Sequence, residues 1–381
     1  MKSFARPWYR PMSARSMDEQ HRVATPLELF FDLCFVVAVS LAASSLHHML
    51  AEAHFGLALL RYAMVFFAIW WAWMNFTWFA SAYDTDDGVY RLTTLVQIAG
   101  VLIFAAGVPR AFDEGDFGIA VVGYLVMRLA MVSQWLRAAR ADGPRRRCAL
   151  RYAGGIVAVQ LLWVLWLVLP VSWAPVAFVV FAIAEVSVPI WAERAAPTTW
   201  HPHHIAERYG LFTLIVLGES VLAATTATQS ALASGHGGPE VLVLAGGGLL
   251  IVFSMWWIYF ERPAHHLLTT LRTSIIWGYS HLVVFGSAAA VGAGIEVALA
   301  YQTHEAHLSG FAAGMVVALP VAVYLAGVWA LHVRPCSTPL MNAAYLVAVP
   351  LVLLTPFTGW AVPATGLVLA ALVAASSALG R

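Results

Sequence analysis

At 381 residues, 61% of them hydrophobic and 11% charged, with a mean hydropathy of +0.77, the chain lies outside the composition of soluble domains. It reads as an integral membrane protein throughout, with no room for a separate soluble domain and no expected nucleic-acid partner. A net charge of +1 is uninformative here, because in membrane proteins the placement of charge carries the information.

Residues 1–24 form a basic, aromatic N-terminal segment, expected on the cytoplasmic side; the apolar run after it is expected to stay as the first span. Apolar stretches long enough to cross a bilayer follow at about 27–49, 58–82, 89–109, 117–137, 150–169 and 171–191. A second set falls at about 205–228, 240–260, 272–294, 311–332, 339–355 and 359–379. The fold class is therefore an all-α polytopic membrane protein of about twelve transmembrane helices. The least marked spans are the pair around Pro170 and the short 339–355 segment.

Charge placement orients this count. With the N-terminus inside, 18 of the 21 basic residues fall on the inner side and Arg110 alone on the outer, while Arg61 and Arg128 lie within spans. That asymmetry follows the positive-inside rule and predicts both termini in the cytoplasm of a bacterial inner membrane. Two halves, 25–194 and 195–381, look like parallel six-helix repeats. Glu28 matches Glu207, Trp70-Trp71 matches Trp256-Trp257, and Arg91 matches Arg272, each about 180 residues apart.

Ionisable residues inside spans are the functional candidates. Glu28 and Asp32, four apart, share a face of the first span, with Ser40, Ser44 and His47 in the same arc. Glu28 reads as an interfacial charge at a helix N-terminus, Asp32 as either an ion pair or a functional carboxylate. In the seventh span Glu219 stands about 18 Å above Glu207, beside Gly218 and Ser220. Arg128 is the arginine expected deep enough to neutralise it, and Glu185 competes for that partner, so one acid would lack a countercharge.

His201, His203, His204 and Glu207 precede that span, and Pro202 is expected to interrupt the helix there. A pH-sensitive interfacial cluster is favoured over a metal site, so no metal and no cofactor are expected. The loop Asp84-Thr-Asp-Asp87 is read as a cap for the third span with partners in nearby arginines, in preference to a magnesium-diphosphate site. Trp70, Trp71, Trp73 and Trp78 are read as packing and belt residues.

Together, Thr25-Pro-Leu-Glu-Leu-Phe-Phe-Asp-Leu33, the Asp84–Asp87 loop, Thr199-Trp-His-Pro-His-His-Ile-Ala-Glu-Arg-Tyr-Gly and Val216-Leu-Gly-Glu-Ser220 resemble the bacterial low temperature requirement protein A family. The matched positions are Glu28, Asp32, Asp84, Asp86, Asp87, His201, His204, Glu207, Arg208, Gly218 and Glu219. The resemblance implies a multi-pass inner-membrane protein linked to growth in the cold. It implies no substrate.

The residues themselves favour a proton- or cation-coupled transporter or permease over an enzyme. Asp32, Glu219, Glu185 and Arg128 would form its proton-binding set. Glu28, His201, His204, Glu207, Arg208, Asp84, Asp86 and Asp87 would form an inner vestibule. An intramembrane enzyme acting on lipid and a non-catalytic sensor or assembly protein are the rivals. Expected partners are the bilayer and a small solute or ion, with a homodimer left open.

Overall fold

The computed structural model describes residues 7–17, 19, 22–233 and 238–379. Lys2, Arg6 and Arg381, three of the charges expected inside, lie outside the described residues, as does part of the 1–24 segment.

Among the described residues there are twelve helices long and apolar enough to cross a membrane, and no strand. They are α1 (Pro26–Ala51), α2 (Phe55–Tyr83), α3 (Gly88–Asp113), α4 (Gly118–Ala141), α5 (Arg146–Trp166) and α6 (Ala174–Glu193). The second set is α7 (Pro202–Ala233), α8 (Pro239–Phe260), α9 (Leu271–Gln302), α10 (Gly310–Val328), α11 (Pro339–Leu354) and α12 (Ala361–Leu379). Each expected span corresponds to one helix, including the two around Pro170.

Local chemistry sets the boundaries. Pro26, Pro202, Pro239 and Pro339 each stand at the first position of a helix, where the missing N–H costs nothing. Pro202 therefore opens α7 and does not interrupt it, contrary to the sequence reading, and His203 to Arg208 lie on the helix. At α1, Thr25 and Glu28 form a capping box: Thr25 N–H donates to Glu28 Oε2 (2.7 Å) and Glu28 N–H to Thr25 Oγ1 (3.4 Å). Asp87, Thr270, Ser309 and Thr338 cap α3, α9, α10 and α11 through side-chain oxygens. A turn of π-helix, Trp329–Val333, continues α10.

The chain forms two compact units, Met1–Ala38 with Ala68–Arg208 and Val39–Phe67 with Tyr209–Arg381. Their limits cut through α1, α2 and α7, so these three helices contribute to both. In the first unit α3 packs on α4, α4 on α5 and α5 on α6. Gly123 lets α4 touch α3, since a Cβ there would stand 2.2 Å from the backbone nitrogen of Phe104. In the second unit α9 packs on α10, α8 on α12, and α11 on both α10 and α12.

Candidate functional site

Two helix faces of the first unit build a buried charge network. Glu28 and Asp32 are one turn apart on α1, and His204 and Arg208 are one turn apart on α7. All four are completely buried. The Arg208 guanidinium donates from Nε to Asp32 Oδ2 (2.9 Å) and from Nη2 to Asp32 Oδ1 (2.5 Å), a bidentate pair. Its Nη1 stands 3.1 Å from Glu28 Oε1, and His204 Nε2 stands 3.0 Å from that same oxygen. These last two are ion-pair contacts without hydrogen-bond alignment.

Arg22 and Trp73 complete the group. Arg22 Nη2 donates to Glu28 Oε1 (3.2 Å) and to the Ala80 carbonyl (3.3 Å), and lies 3.7 Å from Asp84 Oδ2. Trp73 Nε1–H donates to Asp32 Oδ1 (2.6 Å), so this tryptophan is a ligand of the network as well as a packing residue. The buried group counts three carboxylates (Glu28, Asp32, Asp84) against two guanidiniums (Arg22, Arg208), with His204 as the titratable remainder. Arg15, half-buried at the rim and bonded to Glu19, adds a distant contact to Asp84 (3.6 Å).

Asp84, in the loop after α2, registers this crowding. Burial and then the charge of Glu28 push its carboxyl up to about 6, against the pull of Arg22 and Arg15. The rest of the loop differs. Asp87 accepts from Tyr90 N–H (2.8 Å), Arg10 N–H (2.6 Å) and the Arg137 guanidinium. Burial opposes its ionisation, but these donors hold its carboxyl below the usual range. Asp86, at φ 47°, pairs with Arg91 (2.7 Å). Asp87 and Asp86 thus secure the start of α3, and Asp84 alone turns to the network.

The remaining candidates divide. Glu207 accepts the Ala24 N–H (3.0 Å) at the edge of the network. His201 is anchored through its backbone N–H to Ser81 Oγ (2.9 Å), and burial, then neighbouring His203, lower its imidazole pKa. No group of three or more His, Cys, Asp or Glu suited to a metal occurs among the described residues.

Three expectations are corrected. Glu28 keeps its place at the N-terminus of α1, but it is not a free surface charge: it is wholly buried between two arginines and a histidine. Arg128 is not the one deep arginine, since Arg208 is more completely buried and takes Asp32. Arg128 Nη2 instead pairs with Glu185 Oε1 (3.0 Å), whose other oxygen accepts from Trp163 Nε1–H (2.5 Å). That pair is closed on itself.

In the second unit Glu219 is half-buried on α7. The neighbouring Ser220 Oγ–H donates to the Ala288 carbonyl of α9 (3.2 Å), and Gly292 permits the approach, since a Cβ there would lie 3.0 Å from Ser220 Cα. One turn beyond Gly292 on α9 is Glu296, near enough for the Glu219 charge to act on it. His47 Nδ1 of α1 stands 3.8 Å from Glu296 Oε2. Glu296 lies just past the 272–294 span that the sequence marks, and it falls within the membrane helix only because α9 runs on to Gln302.

The family model for the bacterial low temperature requirement A protein (LtrA) matches residues 23–379. The chain belongs to the LtrA family. The match covers residues of both units, Glu28, Asp32, His204, Arg208 and Glu219 among them, and begins one residue after Arg22. An uncharacterized protein of Rhizobium meliloti (strain 1021), RA0937, is 28% identical over 304 residues, 74% of this chain and 72% of its own length. No solved structure matches. With twelve membrane-crossing helices, this LtrA family member is a multi-pass membrane protein.

Proposed function

We propose that the protein is a proton- or cation-coupled permease of the bacterial inner membrane, not an enzyme. Glu219, with Glu296 and His47, forms the exchanging group, and the Glu28–His204–Arg208–Asp32 network is a fixed electrostatic frame. The observation that carries the reading is the state of Glu219 and Glu296. Both are carboxylates within membrane spans and half-buried, and Glu296 makes a long contact with His47 (3.8 Å). Membrane-embedded carboxylates are costly and mark ion or proton pathways. Asp32, taken from the sequence as an equal partner of Glu219, passes to the frame, because Arg208 and Trp73 occupy both of its oxygens.

The test is a flux screen in proteoliposomes across ions and small solutes, with and without a pH gradient. A solute whose saturable uptake follows the gradient, lost in Glu219→Gln and Glu296→Gln, is expected. Folded variants with unchanged gradient-driven uptake would refute it. The requirement at low temperature that the family description names points to cold growth as the condition in which such variants should fail.

The orientation is part of the proposal. Reporter fusions after Gly115, Gly238 and His304 should report periplasm, and fusions after Pro144, Pro197 and Arg334 cytoplasm.

A further inference from the structure

We propose that the second unit carries a binding site for a small organic cation, of the quaternary or primary ammonium class, at the end of the unit where α8, α10 and α12 begin. A cavity of about 230 Å³ lies there, enclosed by the start of α8, the end of α9, the start of α10 and the turn into α12. This is below the ~300–1,000 Å³ of drug-sized sites and suits an ion of a few heavy atoms.

The lining chemistry selects the class. Glu240 is the one charged residue among those lining the cavity, and it is a carboxylate. The aromatic residues Tyr301 and Trp360 and the amide residue Gln302 also line it. A carboxylate together with aromatic ring faces is the set that recognises ammonium groups, through charge and through the ring quadrupole. Space is kept by small residues: a Cβ on Gly310 would come within 3.0 Å of Tyr301 Oη, and one on Gly314 within 2.8 Å of the Ala361 Cβ.

Three helix N-termini near the cavity act in the opposite sense, toward an anion. The start of α10 is already capped by Ser309, and the C-terminal end of α9 contributes partial negative charge. Glu240, a carboxylate in the first turn of α8, already answers the partial positive charge of that helix start. The face of an aromatic ring repels an anion where it attracts a cation. The balance is for the cation, and this site is independent of the Glu219 reading.

The test is isothermal titration of the full-length protein in detergent with tetramethylammonium chloride, and with sodium acetate as the anionic arm. Saturable 1:1 binding of tetramethylammonium and none of acetate is expected. Glu240→Gln and Trp360→Leu should each weaken it tenfold or more. Both side chains are exposed, Trp360 at 56%, so the variants should keep the parent melting temperature. A third variant, Ala313→Leu, should weaken binding by filling the cavity without touching charge. Absence of saturable binding, acetate binding in its place, or full affinity in folded Glu240→Gln and Trp360→Leu proteins would each overturn the proposal.

Discussion

The two units solve the problem of polar groups in a membrane differently. Every aspartate, glutamate and arginine that is buried among the described residues belongs to the first unit: Glu28, Asp32, Asp84, Asp87, Asp142, Glu185 and Glu193 with Arg22, Arg128, Arg137 and Arg208. The buried polar side chains of the second unit are serines, threonines and two histidines. His281 shows the style of that unit. Its Nδ1–H donates to the Trp277 carbonyl (2.8 Å), which leaves Nε2 to accept from Tyr259 O–H (3.0 Å), a neutral arrangement. The carboxylates of the second unit, Glu52, Glu219, Glu240, Glu261, Glu296 and Glu305, all stay half-buried or exposed. Charges sunk in pairs fix geometry, because each ion left unpaired would be expensive; charges left accessible can exchange partners.

The largest test of that contrast is Arg208→Gln, which strands the buried Asp32 carboxylate and leaves Glu28 to Arg22 and His204. A loss of ~3–5 kcal/mol is expected, read as a collapse in monodisperse protein and in melting temperature. Adding Asp32→Asn should recover part of it, because the orphaned charge is then removed.

The Arg128–Glu185 pair offers a sharper form. Either single change to Gln should cost ~3–5 kcal/mol, whereas Arg128→Met with Glu185→Met should cost less than either, its remaining loss of about 1–3 kcal/mol coming from the Trp163 N–H left without its acceptor. Arg128→Gln should not rescue any defect of Glu219→Gln. Rescue would mean that Arg128 serves the second unit.

Asp84 makes the network pH-dependent. Its carboxyl is raised from 3.8 to about 6 in the folded state, so between those values the folded protein holds a proton that the unfolded chain releases. Stability from this group is therefore present below about 3.8, falls as pH rises to about 6, and is absent above; the span is at most about 3 kcal/mol. Melting curves of Asp84→Asn should lie above the parent at pH 7 and converge with it near pH 4. Parallel curves at every pH would remove Asp84 from the network.

In the second unit Tyr259→Phe deletes one neutral hydrogen bond to His281 and should cost about 1 kcal/mol. That is the smallest effect, and a cost several times larger would erase the difference between the units.

Most of the fold was legible because bilayer thickness imposes a length that apolar runs report directly. Even the spans around Pro170 appear as α5 and α6. The start of α7 is where the sequence misleads: a proline among histidines suggests a break, yet proline is at home in a first turn and Pro202 opens the helix. The site was legible in its members but not in their pairing. Glu28 with Asp32 and His204 with Arg208 each show the one-turn spacing, yet nothing along the chain says that the two faces meet. Arg208 lies only six residues into α7, which made it look interfacial, whereas it is buried completely beneath α1 and Trp73. Trp73 looked like packing because an indole's single N–H leaves no trace in a hydrophobic pattern. Glu296 was passed over because it stands alone near the end of a long apolar helix.

The central claim is that the buried carboxylates of the first unit are structural and the accessible ones of the second are functional. Glu185→Gln and Glu219→Gln make the same chemical change in each unit, so both should be measured for folded yield and for pH-gradient-driven flux per folded molecule in proteoliposomes. The account predicts that Glu185→Gln loses yield while the surviving protein keeps its flux, and that Glu219→Gln keeps its yield and loses the gradient-driven flux. A Glu219→Gln protein that folds and transports like the parent would contradict it.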